Sequence, residues 1–305
     1  MILSLITITA ATAAQFSFGG YGEVSYRNVE NATDSFDIHR VVLYSGYEFD
    51  ATYSFNSEIE IEHGDEIHVE FAQIDGNYSD ALNVRAGHIL LPMGFMNQTH
   101  EPTTFWSAKR PLVERFVVPS TWHENGAGVF GSHNNISWQA YFVNGTDDGF
   151  DIQNSGLRGG RQGGERAAAE KMGFTARVDY QITTGLQLGT AIYTGGTNNS
   201  TPTGLEHHVQ VVEAHLQYDH GPLRIRALFA DASVENSGLL PIASTTDDID
   251  GWYVEAGYDL LSADDDYSLT PFVRIEQYDL GEEVDVNVFG LAAVMVMILS
   301  IISGD

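Results

Sequence analysis

Apolar and polar residues alternate with period two along most of the chain, the pattern of strands with one dry and one wet face. Phe16, Phe18, Gly20, Gly22, Val24 and Tyr26 alternate with Ser17, Gly19, Tyr21, Glu23, Ser25 and Arg27. Tyr53, Phe55, Ser57, Ile59 and Ile61 alternate with Ser54, Asn56, Glu58, Glu60 and Glu62. Phe174, Ala176, Val178 and Tyr180 alternate with Thr175, Arg177 and Asp179. Fourteen such segments predict strands, at 16–28, 37–49, 52–63, 66–76, 81–91, 125–132, 136–144, 172–182, 185–195, 207–218, 222–232, 251–261, 266–278 and 284–292. Most exceed the roughly five or six residues of a globular strand. They reach the roughly ten needed to cross a bilayer at a tilt. The one helical window is Glu165 to Met172, and it is short.

Every second connection between these segments is tight, and most of the others are long, at 29–36, 92–124, 145–171, 196–206 and 233–250. This parity belongs to a membrane barrel with short turns at one end and loops at the other. A sandwich with Greek-key crossings has no reason to sort its loops so. In lipid the backbone can be satisfied only by helices or a closed sheet. No run of about 20 apolar residues exists to make a spanning helix. The expected fold class is therefore all-β: a transmembrane antiparallel up-and-down β-barrel with about 14 visible strands.

Composition narrows the function. Asp and Glu number 42 against 14 Lys and Arg, a formal net charge of -28, which argues against nucleic-acid binding. Cysteine is absent, so thiolate metal sites and cysteine nucleophiles are excluded. Residues 1–14 form a short apolar stretch ending in small residues, and Ala11-Thr12-Ala13 has the form of a signal-peptidase site. The alternative for that stretch is a first buried strand. Residues 15–292 are the expected barrel, and 293–305 an atypical apolar tail.

The connection 92–124 is too apolar to stand free in solvent, with Trp106, Phe116, Val117 and Trp122, and the barrel interior is the nearest surface for it. It is expected to fold inward and narrow the lumen, carrying Glu101, Glu114 and Glu124 against Lys109, Arg110 and Arg115, with His123 beside them. Mixed charge there would set up a transverse field that filters solutes; the alternative is an outer lid with solvated charges. In 145–171, Arg158 and Arg161 lie on a glycine-rich segment and could contact an anion, or simply be surface arginines.

The segments GGYGEVSYR (19–27), THEPTTFWSAKRPLVERFVVPSTWHENGAGVFG (99–131), YFVNG (141–145) and LRGGRQ (157–162) resemble outer-membrane porins of the phosphate-selective porin O/P-like superfamily. The likeness covers most of residues 16–292, and 99–131 is its most specific part. It implies a barrel of about sixteen strands in the bacterial outer membrane. Such porins are often homotrimeric, sit among lipid and lipopolysaccharide, and pass small solutes and ions by diffusion. Two departures matter. Lysine is nearly absent, Lys109 and Lys171 being the two present, so phosphate selectivity is not carried over. The chain closes on Gly304-Asp305 rather than a terminal aromatic, and the match fades near Leu291, about two strands short of the family.

With the polar face lining the lumen, the wall acids would include Glu23, Glu58, Glu60, Glu62, Glu66, Glu70 and Asp179, with Glu213, Glu255, Asp259 and Glu276. The wall bases would be Arg27, Arg85, Arg177, Arg224, Arg226 and Arg274. Acid outnumbers base, which predicts a cation-preferring channel. Divalent ions could bind the acidic loop stretch Asp247-Asp248-Ile249-Asp250; no cofactor or metal is otherwise expected, since His207-His208 lacks a third spaced ligand. The alternatives are a soluble or surface β-sandwich that binds carbohydrate or acts as an adhesin, and a barrel enzyme, for which no nucleophile motif is present.

Overall fold

The computed structural model describes residues 15–28, 33–107, 109–198, 206–261 and 267–295, with the backbone of Ile2 and Leu3. The expected signal peptide and the tail beyond Met295 otherwise fall outside the described residues. Fourteen long strands follow one another: β1 Gln15–Arg27, β2 Ser35–Glu48, β3 Tyr53–Glu62, β4 Glu66–Asn77, β5 Asn83–Leu90, β6 His123–His133 and β7 Ile136–Asn144. The second half comprises β8 Met172–Thr183, β9 Leu186–Gly196, β10 His208–His220, β11 Leu223–Val234, β12 Asp248–Tyr258, β13 Tyr267–Asp279 and β14 Glu283–Met295. Each pairs antiparallel with its neighbour in sequence, without a crossover. The two-residue stretch Ile2–Leu3 pairs with Gly22 and Glu23 on the free side of β1. Among the described residues no ladder joins β14 to β1.

The single sheet curls. His100 touches Glu58 on β3, while Ser107 touches Arg274 on β13. Ten strand spacings in a flat sheet would separate those contacts by roughly 48 Å. Seven residues of extended chain span at most about 25 Å. Only a sheet rolled around the loop brings both walls within reach.

The rolled sheet is inside-out relative to a water-soluble protein. Phe36, Ile67, Phe289 and Leu291 are exposed to 63–79%, and Val178 and Val254 are also exposed. On the opposite face Glu58, Glu255 and Glu276 are 1% exposed. A soluble domain seldom shows so many apolar side chains while burying carboxylates. A barrel in hydrocarbon turns its apolar side chains outward and its polar ones inward. The sandwich alternative falls here, because among the described residues there is one sheet and no second layer for its apolar face to cover.

Three details depart from the sequence reading. Glu165 to Lys171 is not helical: Gly163 and Gly164 have φ of 62° and 72°, Arg166 has φ 48°, and so short an alanine run cannot nucleate a helix by itself. The last strand runs to Met295, three residues into the expected tail, paired along β13 throughout. The acidic stretch 247–250 is mostly strand: Asp248 begins β12, and Asp250 lies opposite Asp231 and Asp279 rather than in a loop.

The buried apolar core lies at the end of the barrel that carries the long connections. Met93, Met96, Val113, Val117 and Trp122 from 91–122, with Phe150, Ile152 and Leu157 from 145–171, pack on Tyr141, Tyr193, Val209, Val211 and Tyr253 of the wall. The inner face is therefore apolar where loops cover it and polar elsewhere.

Candidate functional site

The segment 91–122 is pinched at its base. Asn97 donates to the carbonyls of Leu91 and Trp122 at 2.7 and 2.9 Å and accepts from the Trp122 N–H. From there the chain runs along the inner wall and is bonded at most strands it passes. Arg177 on β8 donates to the Gly94 carbonyl, Arg226 on β11 to that of Thr104 at 2.8 Å, and Arg274 on β13 to Ser107 Oγ at 2.9 Å. Tyr44 on β2 donates to Glu101 at 3.1 Å, and His100 lies 3.3 Å from Glu58 and 3.9 Å from Glu70. Trp106 lies against Phe272 with ring centroids 5.9 Å apart.

A four-residue helix, α1 (Val113–Phe116), carries Glu114 into this packing. One carboxylate oxygen accepts the N–H groups of Phe95 and Met96 at 2.7 and 2.6 Å, and the other accepts the Tyr253 hydroxyl. Gly94, with φ 62°, is required beside it, since a Cβ there would sit 2.5 Å from Glu114. Burial holds the Glu114 carboxyl above its ordinary value, partly offset by those donors.

The segment 145–171 clasps the first. Arg158 donates to the Ser120 carbonyl at 2.7 Å, and Arg161 to the carbonyls of Ser120 and Thr121 at 2.9 and 2.7 Å. Gly156 approaches Phe116 so closely that a Cβ would lie 2.2 Å from its carbonyl oxygen. Glu124, expected to face the lumen, is instead buried at the start of β6, accepting from Asn144 and from the Gln162 N–H. The acids of the loop thus point into protein: Glu101 to Tyr44, Glu114 to Tyr253, Glu124 to Asn144.

The bases gather on one cavity instead. Lys109, Arg110, Arg115, Arg158 and Arg161 all line a cavity of about 640 Å³, whose far side is Arg40, Glu60, Glu62 and Glu70 of the wall, with His39, His68 and His123. None of the five loop cations has a carboxylate within ion-pair distance among the described residues. Burial, then the proximity of Arg161 and Arg110, pushes the Arg158 guanidinium down from its ordinary value; burial does the same at Arg161, and burial with Arg40 at Arg110. Arginine nevertheless remains charged at neutral pH. Loop cations and wall carboxylates thus meet around one cavity, whereas the sequence places both signs on the loop itself.

Most other wall residues are spoken for. Arg85 holds Asp75 at 2.8 Å, and Arg177 holds Asp179 at 2.7 Å, with His215 at 2.8 Å from the same aspartate. Arg226 and Arg274 both lie 3.7 Å from Glu255, and Arg274 lies 3.4 Å from Glu276. Arg224 bonds Asp219 near the turn end, and Arg27 is exposed at the end of β1. Glu23 sits behind Arg40 at 3.1 Å, and Glu58 under His100. Arg40 escaped the sequence count although it also pairs with Glu60 at 2.8 Å. The β1–β2 register shift beside it changes which residues of β2 face inward, and alternation alone does not announce a bulge.

The rolled, sequentially paired, inside-out sheet with a loop along its inner wall defines a β-barrel of the porin type. OmpF of Salmonella typhi, solved in complex with daunomycin, superposes with a TM-score of 0.59 at 12% identity, over 91% of this chain and 85% of that one. The anion-selective porin from Comamonas acidovorans gives 0.51 at 11% identity, over 95% and 81%. The outer-membrane channel DcaP of Acinetobacter baumannii gives 0.50 at 10% identity, over 94% and 99%. No protein-family model matches the sequence. The chain belongs to one family with an uncharacterized protein of Aquifex aeolicus (strain VF5), at 33% identity over 313 residues, 90% of this chain and 72% of that protein.

Proposed function

We propose that this protein is a porin of the bacterial outer membrane, a water-filled passage for small ions and solutes that performs no chemistry on them. Residues 1–14 would direct export, residues 15–292 with the extension of β14 would form the barrel wall, and three copies would assemble as the resemblance implies. The segments 91–122 and 145–171 together would form the constriction. The finer membership, in the phosphate-selective porin O/P-like superfamily, rests on 99–131 and 157–162, and those stretches supply five of the six Lys and Arg at the cavity, Arg40 being the other.

One observation carries the selectivity: the loop cations line the cavity without a carboxylate at ion-pair distance among the described residues. Around the cavity stand six Lys and Arg against three Glu. Charges beyond about 8 Å are largely screened at physiological salt, so this local balance outweighs the chain's overall negative charge. The constriction is accordingly anion-preferring, and this replaces the cation preference read from the wall count. The wall count overstated free acid because most wall carboxylates are paired. Zero-current potentials across a planar bilayer in a salt gradient test the reading. A reversal potential of anion-selective sign is expected; cation-selective sign, or no conductance, overturns it.

A further inference from the structure

At the loop-bearing end of β2 the ladder to β1 shifts register between Glu23 and Val24, leaving His39 as the extra residue. Such a bulge re-aims a side chain. The turn between β3 and β4 begins with His63, whose φ is 51°, and its N–H donates to the His39 carbonyl at 3.3 Å. The turn is thereby fastened over the bulge, and the two imidazole rings stand 5.6 Å apart, centre to centre. The Asp37 carboxylate reaches both, 2.9 Å from His63 Nδ1 and 3.5 Å from His39 Nδ1. One donor atom from each of the three lies within 4.8 Å of the others.

A second set adjoins it. Glu62 and Glu66 face each other across the β3–β4 ladder, a like-charge pairing that costs stability unless a cation offsets it. His68 Nε2 lies 4.0 Å from each carboxylate, too far for a hydrogen bond. An ion centred among three donors with edges of about 4 Å would be about 2.3 Å from each (edge divided by √3), near ordinary metal–ligand lengths.

We infer that this hairpin tip binds a first-row transition-metal dication of the zinc or nickel type, with Asp37, His39 and His63 as ligands and Glu62, Glu66 and His68 as an adjoining set. Two imidazoles with a carboxylate suit such ions, whereas calcium and magnesium take all-oxygen shells. Arg40 contacts His39 through Nε2 at 3.0 Å, so coordination through Nδ1 moves the proton to Nε2 and breaks that contact. Arg40 keeps its ion pairs with Glu23 and Glu60. Binding itself does not depend on the channel reading. Its consequence does: His39, Glu62 and His68 line the cavity, so a bound dication adds positive charge at the constriction.

The test is calorimetric titration of the tag-free, detergent-solubilised full chain with zinc, nickel and calcium chlorides. Zinc and nickel should bind more tightly than calcium. H39A with H63A, and separately the near-isosteric D37N, should weaken zinc by roughly tenfold or more, the size that even a supporting residue can cost. Adding H68A to the histidine pair should abolish the remainder. Equal affinity for calcium and zinc, or undiminished zinc binding in variants that retain heat-modifiable gel migration, overturns the proposal. Conductance of the same preparation is read separately: a non-conducting protein that binds zinc sinks the porin reading alone.

Discussion

His100 Nε2 lies 3.3 Å from Oε1 of Glu58, and both side chains are almost wholly shielded from solvent. This contact ties the segment 91–122 to the wall at β3. Burial disfavours the imidazolium, but the carboxylates of Glu58 and Glu70 outweigh it and hold His100 above its ordinary value. Its contribution is full below the unfolded value of about 6.5 and fades as pH rises through the folded one. Glu114 is also raised, by burial, so its contribution likewise declines as pH climbs above about 4.5. Both shifts have the same sign. Proteolysis within 91–122 should accelerate, and open-channel noise should grow, as pH rises above about 6.5. His100→Gln should flatten most of this dependence. His100→Ala strands Glu58 in a buried place and should cost about 3 kcal/mol or more, read from the denaturation midpoint of the folded barrel.

The charge arrangement around the cavity makes a directional prediction. The Lys109 side chain is exposed and makes no ion pair among the described residues, so Lys109→Glu changes the field with little structural cost. The reversal potential should move toward cations, and further with Arg110→Gln. Glu60→Gln and Glu62→Gln should move it the other way. Identical potentials in all four variants would show that the passage lies elsewhere.

Gly94 and Glu114 set the inner path of the loop. Gly94→Ala places a Cβ 2.5 Å from the Glu114 carboxylate at a φ of 62° and should cost about 1–3 kcal/mol. Glu114→Ala leaves the N–H groups of Phe95 and Met96 without an acceptor, about 1–3 kcal/mol for each group left buried. Both variants should raise single-channel conductance and loop cleavage while the barrel retains heat-modifiable migration.

Val178 is exposed on the apolar face between Arg177 and Asp179, which turn inward. Val178→Arg should cost about 2–4 kcal/mol if the site lies near the bilayer midplane. Folding yield into lipid vesicles measures it, and Val178→Leu serves as the neutral control.

The strands were legible because their signal is local. Alternation sorts Phe55 from Glu58 and Val178 from Arg177 without reference to any other part of the chain. The candidate site was legible only in membership. The loop residues Lys109, Arg110 and Arg115, and Arg158 and Arg161, stand out from their sequence, but their direction does not. Nothing local distinguishes Glu114, buried against Tyr253, from Arg115, which faces the cavity one residue later. Arg40 was hidden by a one-residue bulge at His39, and His39 and His63 meet only through a register shift and a turn.

Period-two patterning alone therefore established an all-β chain, its strand positions, the faces of most strands and the two long loops. It did so because a strand's alternation is fixed by its own backbone geometry. The tertiary structure decided which charges cancel and which remain free. Pairing energies depend on distances between residues far apart in sequence, such as Arg40 with Glu60 and His100 with Glu58. Those distances exist only once the sheet has rolled around its loop.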